Sequence, residues 1–573
     1  MTAAPATASA RIVRAAGAAA AIALGAALIV RPFASVGWTA LALAAALIAA
    51  GVTDLADRAN RESLPRLTAA TAAIVVGVVL LLWRGLSVLG IAVAAAVGLT
   101  AWGLGRWARA LARGPAWWAD ALIGTAAIAT AALAVSWPGV SIFLVVQAIG
   151  LGLVWRGLGA LIGAIRGRPG PAAGEHRTHA VLRTVGGVVA LAVTVPLVVA
   201  TIVVRGDAPE PGAFYRAELA ADTRPGTLLK SEPTTAGVPV GARGWRILYS
   251  TMREDRPALA SGLVLAPTAA TGPRPVIAWA HGTTGIAENC APSMTAQPFA
   301  NVPGLSQALD NGWIVVAADY LGMGTPGPSP YVIGEGEGRS VLDSVRAARQ
   351  LTGPTLSDRT VVWGHSQGGH AALWTELLAP TYAPDAGVIA TAALAPASDL
   401  SALATSLESM AGGSLLASYV IDSYARNYPD VRYDDYLKVQ AQLPVRGMAA
   451  RCLTSPTMPA SLAAALFLGT DFYSADPTTG ALGARLRQNT PGARLPYPTF
   501  IAQGLSDEVI APASQNAFTQ AQCTVGSDLE YRTYPGLGHM GVVADGSPSA
   551  ADLVTWTQAR FAGAPPTPNC AGR

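Results

Sequence analysis

Six charge-free apolar stretches lie in the first 205 residues, at 15–30, 32–53, 67–83, 85–105, 121–155 and 184–204, and they restrict this chain more than any other feature. A helix needs about 20 apolar residues to cross the hydrocarbon core, and fewer where the bilayer thins. The 121–155 stretch is long enough for two crossings, with Trp137-Pro138-Gly139 as a turn at its middle. The pattern predicts a seven-span helical membrane domain over 1–205. A cleaved leader does not fit, because further apolar segments follow the first at once.

Arginines set the orientation. Residues 1–205 hold sixteen arginines and no lysine against five acidic residues, whereas the remainder is net acidic. Arg11 and Arg14 precede the first stretch. Arg58, Arg61 and Arg66 fall between spans two and three, Arg106, Arg109 and Arg113 between four and five, and Arg166, Arg168, Arg177 and Arg183 between six and seven. The opposite loops carry Arg31 and Arg84. The positive-inside bias puts the N-terminus in the cytoplasm and everything beyond Arg205 outside. Arginines that alternate with spans read as topology signals, so nucleic acid is not expected as a partner. All four cysteines (Cys290, Cys452, Cys523 and Cys570) lie on the outer side of this scheme. An even number at wide spacing fits disulfides in an oxidising compartment, although four separate buried thiols remain open at this point.

The membrane segments also repeat. The short breaks at Arg31-Pro32, Arg84-Gly85 and Trp137-Pro138 recur every 53 residues, which predicts three hairpins. Together with the Trp137-Pro138-Gly139-Val140-Ser141 turn, this period resembles HdeD-type membrane proteins. The spans hold no paired Asp, Glu or His of the kind a proton path needs. Asp120 sits at a span edge and reads as interfacial, so the unit is expected to be an anchor.

Beyond residue 205 the pattern changes. Residues 206–242, rich in Pro, Gly, Ala and Thr, read as a stalk and lead-in. Regular α/β alternation then runs over 243–573. Residues 246–250 and 260–266 predict an antiparallel pair. Strands are predicted at 276–280, 313–318, 360–363, 389–394, 499–503 and 529–533, with helices at 340–351 and 370–378. The 360–363 strand runs into Gly364-His365-Ser366-Gln367-Gly368. Strand, Gly-x-Ser-x-Gly and helix in that order form a nucleophile elbow, in which glycines relieve a crowded turn and the serine hydroxyl stands above the sheet. Ser366 is therefore the expected nucleophile.

A serine hydroxyl needs a base near neutral pH. Of six histidines, His176 and His179 fall on the cytoplasmic side, and His365 and His370 flank the elbow and read as packing residues. His281 belongs to the loop after the 276–280 strand. His539, in a glycine-rich loop after the 529–533 strand, is the expected base. The orienting acid should lie between serine and histidine in chain order. Asp507, at the end of the 499–503 strand, is preferred over Asp399, and Glu508 reads as solvated. The backbone N–H groups of Gln367 and Thr283 are the expected oxyanion donors. No cofactor or metal is expected.

These residues give the chain a likeness. Trp279-Ala280-His281-Gly282-Thr283-Thr284-Gly285, Cys290-Ala291-Pro292-Ser293, Asp319-Tyr320-Leu321-Gly322-Met323-Gly324, the elbow, Gly504-Leu505-Ser506-Asp507 and Gly538-His539 resemble the secretory lipase family of α/β-hydrolases, over about 210–573. The resemblance implies lipase or carboxylesterase activity on lipid or acyl esters, a helical cap at about 400–495, and disulfides Cys290–Cys452 and Cys523–Cys570. It departs from the family at its N-terminus, where a membrane anchor replaces release. The fold class expected is thus an N-terminal multi-span helical membrane domain plus a C-terminal α/β-hydrolase fold with a helical cap. The residues alone leave open an acyltransferase or peptidase on the same fold, or a membrane stress-response protein whose outer domain only binds.

Overall fold

The computed structural model of the chain describes residues 88–113, 117–136, 210–269 and 272–570 continuously, with scattered positions elsewhere before 210. It divides into two compact units, Met1–Asp207 with Val439–Pro444, and Ala208–Lys438 with Val445–Arg573.

In the first unit, helix α1 spans Val88–Leu111 and helix α2 spans Trp117–Ser136. Trp117–Ala134 is, among the described residues, the one helix long and apolar enough to cross a membrane, and a shorter apolar helix covers Thr184–Pro196. Glycines let α1 and α2 approach closely. A Cβ on Gly103 or Gly124 would stand 2.9 Å from the other's carbonyl oxygen, so the missing side chains are what lets the two backbones come together.

One expectation changes here. Arg106 and Arg109, assigned to a loop, lie within α1, and the break falls after Leu111, with Arg113 at φ 49°. Arginine is a good helix former with a long stem, so a helix continues through it where an apolar stretch has ended. Asp120, in the first turn of α2, is half-buried and paired with Arg106 at 2.7 Å. The stretches 15–30, 32–53 and 67–83, the 137–139 turn, the second crossing in 121–155 and the 184–204 stretch lie outside the continuously described residues, as do His176 and His179.

The second unit is built on one nine-stranded sheet. In chain order its strands are β1 (Leu228–Thr234), β2 (Ala242–Arg253), β3 (Arg256–Pro267), β4 (Arg274–Ala280), β5 (Ile314–Ala318), β6 (Leu356–His365), β7 (Val388–Leu394), β8 (Thr499–Gly504) and β9 (Leu529–Tyr534). They lie side by side as β1-β2-β3-β5-β4-β6-β7-β8-β9. The first three and β5 pair antiparallel, and every pair from β5 to β9 is parallel. Central strands such as β4 and β5 read as unbroken apolar runs because both faces are covered. Helices α3 (Leu305–Asp310), α4 (Gly334–Ala348) and α5 (Gln367–Tyr382) follow β4, β5 and β6.

The expected stalk is corrected by β1, which belongs to the sheet. It is an edge strand of sequence Leu-Leu-Lys-Ser-Glu-Pro-Thr, half-exposed and mostly polar, so it shows no apolar run. Tyr215, ahead of it, is buried with its hydroxyl 2.8 Å from Ser293 Oγ.

Between β7 and β8 the chain builds the cap from α6 (Leu400–Ser409), α7 (Gly413–Asn427), α8 (Tyr433–Tyr436), α9 (Val439–Ala449), α10 (Met458–Leu468) and α11 (Gly480–Gln488). Helices α12 (Pro512–Thr524) and α13 (Pro548–Phe561) complete the layers. Cys290 is bonded to Cys452, joining the loop after β4 to the cap, and Cys523 to Cys570, fastening the chain's end to α12. The second bond closes an interval of 47 residues, worth roughly 4 kcal/mol on a chain-entropy estimate.

One core group yields a stability prediction. Glu376 on α5 is fully buried and accepts hydrogen bonds from Tyr497 N (2.9 Å) and the Thr499 hydroxyl (3.0 Å). Burial pushes its carboxyl up to about 8. A raised folded-state pKa means stability is full below the unfolded value and declines as pH rises toward the folded one, by about 1.4 kcal/mol per unit. The decline therefore falls between the ordinary value of 4.5 and about 8. Glu376→Gln is expected to melt progressively higher than the parent across that window. Parallel melting curves for the two proteins at every pH would refute this.

Candidate active site

The elbow is tight for steric reasons. Ser366, between β6 and α5, holds φ 56° and ψ −119°, a backbone region that costs a non-glycine residue about 1–3 kcal/mol. A Cβ on Gly364 would collide with the Gly368 carbonyl oxygen, and one on Gly368 with that of Ala280. Glycine is the residue that fits at both positions.

His539 stands in the loop after β9, with Nε2 2.8 Å from Ser366 Oγ. Its Nδ1 lies 2.9 and 3.1 Å from the two carboxylate oxygens of Asp507, in the loop after β8. Asp507 Oδ1 also accepts the N–H groups of Val509 (2.9 Å) and Ile510 (2.8 Å), and Oδ2 accepts Gln503 Nε2 (3.0 Å). Burial, the largest single influence, would raise this carboxyl. The hydrogen bond and charge of His539, with the two backbone N–H groups, together outweigh it and hold Asp507 below the usual carboxylate value. An ionised Asp507 accepts from Nδ1–H, which leaves the Nε2 lone pair for the serine O–H.

The His539 backbone is held at both ends. Its N–H donates to Glu508 Oε2 at 3.1 Å, and its carbonyl lies 3.0 Å from His365 Nε2. Glu508 is exposed, as expected, yet takes this bond. His365 is buried, its ring 4.7 Å from that of His539. Burial first, then the neighbouring His539, pushes it down to about 3, so it is neutral and its Nε2–H donates.

The remaining candidates fall as follows. Asp399 uses its carboxylate to cap α6, accepting Ala402 N at 2.9 Å. His281 bonds to its neighbour's carbonyl and stacks on Tyr320. His370 is fully buried between Glu337 Oε2 (2.9 Å) and the Asn489 carbonyl (2.8 Å). Gln367 and Thr283 line the same cavity as Ser366 and His539. Gln367 opens α5, where a backbone N–H has no acceptor within the helix. The Thr283 hydroxyl is 2.9 Å from Tyr331 OH.

Sequence reading passed over Glu337. This fully buried carboxylate on α4 takes the Gln367 side-chain amide (2.7 Å), Val332 N (3.0 Å) and His370, so it braces the residue after the serine. Nothing local marks it, since Gly-Glu-Gly-Glu-Gly reads as a solvated helix start.

The cavity above Ser366 measures about 260 Å³. Leu403 and Leu407 of α6 and Leu416 and Val420 of α7 give it an aliphatic wall, and none of its described lining residues is Asp, Glu, Lys or Arg. Among the described residues no group of acids, histidines and cysteines could hold a metal ion.

A sheet of this order with a serine at the β6–α5 elbow and a helical cap between β7 and β8 defines an α/β-hydrolase. Comparison with known proteins narrows the class: residues 291–569 match the model of the secretory lipase family, and the chain is an ester hydrolase of the lipase/carboxylesterase class. Lipase 6 of Candida albicans is 25% identical over 400 residues, covering 63% of this chain and 83% of that protein. Secreted triacylglycerol lipase LIP3 of Malassezia globosa is 26% identical over 409 residues, 64% and 85% of the two chains. A trichothecene C-3 esterase of Fusarium sporotrichioides is 29% identical over 240 residues, 39% and 52%. The solved structure of Candida antarctica lipase A in its closed state superposes with a TM-score of 0.54 at 20% identity, over 63% of this chain and 89% of that one, and at that identity it speaks for the fold. Separately, residues 16–67 match a short repeat of unknown function.

Proposed function

We propose that this chain is a membrane-anchored serine hydrolase that cleaves uncharged lipid or acyl esters outside the cytoplasmic membrane. The continuous hydrogen-bond relay from Asp507 through His539 to Ser366 carries the reading. His539 Nε2 takes the Ser366 proton as Oγ bonds to the ester carbonyl carbon, and the carbonyl electrons move onto oxygen. The N–H groups of Gln367 and Thr283 receive that oxyanion. Collapse breaks the ester C–O bond, and the leaving oxygen takes the proton from His539 and departs as alcohol. Water then repeats the sequence on the acyl-enzyme, releasing the carboxylic acid and restoring Ser366. Asp507 keeps the imidazole in the required tautomer and stabilises its cation without taking the proton. The absence of formal charge among the cavity's described lining residues favours a neutral ester, because a buried unpaired charge is expensive.

The anchor is the seven-span domain over 1–205, with its N-terminus in the cytoplasm and the hydrolase outside. The arginine pattern, the apolar helix Trp117–Ala134 and extracytoplasmic-type disulfides support it. A membrane-impermeant fluorophosphonate applied to intact cells is expected to label the full chain on Ser366, read by peptide mass spectrometry. Labelling only after lysis would refute the outward placement, and labelling at another residue would refute the nucleophile.

A further inference from the structure

The outer face of α10 is apolar and uncharged. No charged residue occurs between Arg451 and Asp471, and α10 itself, Met-Pro-Ala-Ser-Leu-Ala-Ala-Ala-Leu-Phe-Leu, is apolar on every side but for one serine. Its inner face is buried through Ser461, Ala465 and Leu468, and the Ser414 hydroxyl of α7 bonds to the Ala465 carbonyl at 3.2 Å. The outer face is exposed at Pro459, Leu462, Ala463 and Leu466, an i, i+3, i+4, i+7 stripe. Leu462 and Leu466 are 39% and 58% exposed. A soluble surface helix normally carries charge on that face, and this one carries none.

Chain connectivity bears on what covers it. The last apolar stretch ends at Arg205, and Ala213 is already fixed to the hydrolase unit through Lys230 Nζ at 3.0 Å, just ahead of buried Tyr215. Eight residues reach at most about 28 Å even when fully extended. A unit held on so short a tether stays within reach of the lipid surface. The stripe also follows closely on the cavity in the chain, since Leu453 and Thr454, just before α10, line it.

The geometry points to α10 as a lipid-docking helix: its Pro459–Leu462–Ala463–Leu466 stripe rests in the interfacial layer of the bilayer that anchors the chain, and presents the cavity to esters dissolved there. This rests on the proposed anchoring and extends it from a tether to an oriented enzyme. An interfacial helix with an apolar face buries it to the headgroup–acyl boundary.

The test uses the full chain in phosphatidylcholine/phosphatidylglycerol vesicles. All four native cysteines are in disulfides, so Leu466→Cys supplies the one thiol for an environment-sensitive nitrobenzoxadiazole probe, with exposed Ala551→Cys on α13 as control. The probe at 466 is expected to shift to the blue and be quenched by spin-labelled phosphatidylcholine, while the one at 551 does neither. Paired Leu462→Asp and Leu466→Asp substitutions are expected to lower turnover of an ester carried in the same bilayer about tenfold, the scale of losing part of two leucines' burial. Turnover of water-soluble p-nitrophenyl acetate should be unchanged. An unquenched, water-like probe at 466 overturns the inference, and so does a blue shift that lipid quencher leaves intact, which would place protein on this face. If the double variant loses both activities, the probe result decides. If Ser366→Ala turns over both esters, the hydrolase reading fails while the docking result stands on the probe.

Discussion

Ser366→Ala is expected to lower kcat/KM for a p-nitrophenyl ester by about 10⁴- to 10⁶-fold, leaving the secondary structure and both disulfides in place. Without Oγ no acyl-enzyme forms, and what remains comes from the oxyanion donors and binding. The alanine keeps the Cβ and inherits the same strained backbone, φ 56°, so the elbow is neither relieved nor further crowded. The lost hydroxyl leaves His539 Nε2 facing the cavity, where water can reach it. Circular dichroism and thiol titration should therefore match the parent while turnover and fluorophosphonate labelling vanish. A variant that retains more than about one per cent of turnover would transfer the nucleophile to another group.

Asp507→Asn is expected to cost about 10⁴-fold in kcat with KM little changed, a magnitude taken from the serine-protease case used as a general template. The direction follows from this site's own hydrogen bonds. Oδ1 accepts two backbone N–H groups, from Val509 and Ile510, so the amide oxygen of asparagine stays there. The NH₂ group then replaces Oδ2 and points at His539 Nδ1 and Gln503 Nε2. His539 answers by carrying its proton on Nε2, which can no longer accept from Ser366. Gln503 can turn its side chain to offer Oε1, which has no partner in the parent, so stability should fall less than activity. Asp399→Asn is the control: it keeps an oxygen to cap α6 and should change kcat less than about threefold. Equal losses from both variants would reject Asp507 as the orienting acid.

The strands β4, β6, β7 and β8 are legible because a buried parallel strand carries a short apolar run, and the elbow because its glycines are demanded by local collisions. Edge strand β1 was not, since a half-solvated polar strand has the composition of a linker. The end of α1 is not legible because arginine ends an apolar run without ending a helix. Glu337 was invisible for a related reason: its burial is imposed by α5 and the cap, and no neighbour in sequence announces it.

What the sequence determined by itself is therefore local: which segments are strands or helices, where glycine is compulsory, and which few residues own the required chemistry. It reached Ser366, His539 and Asp507 by residue type and chain order, and the cysteine pairing through family likeness. The tertiary structure alone decided which of these meet. Ser366 and His539 are 173 residues apart in the chain, and they come within 2.8 Å because β6 and β9 lie in one sheet and both deliver their loops to the same edge. The same long-range packing turned Asp399 into a helix cap, made His365 a neutral clamp on the base, and left the outer face of α10 bare. These depend on distances between elements far apart in sequence, and no local pattern encodes such distances.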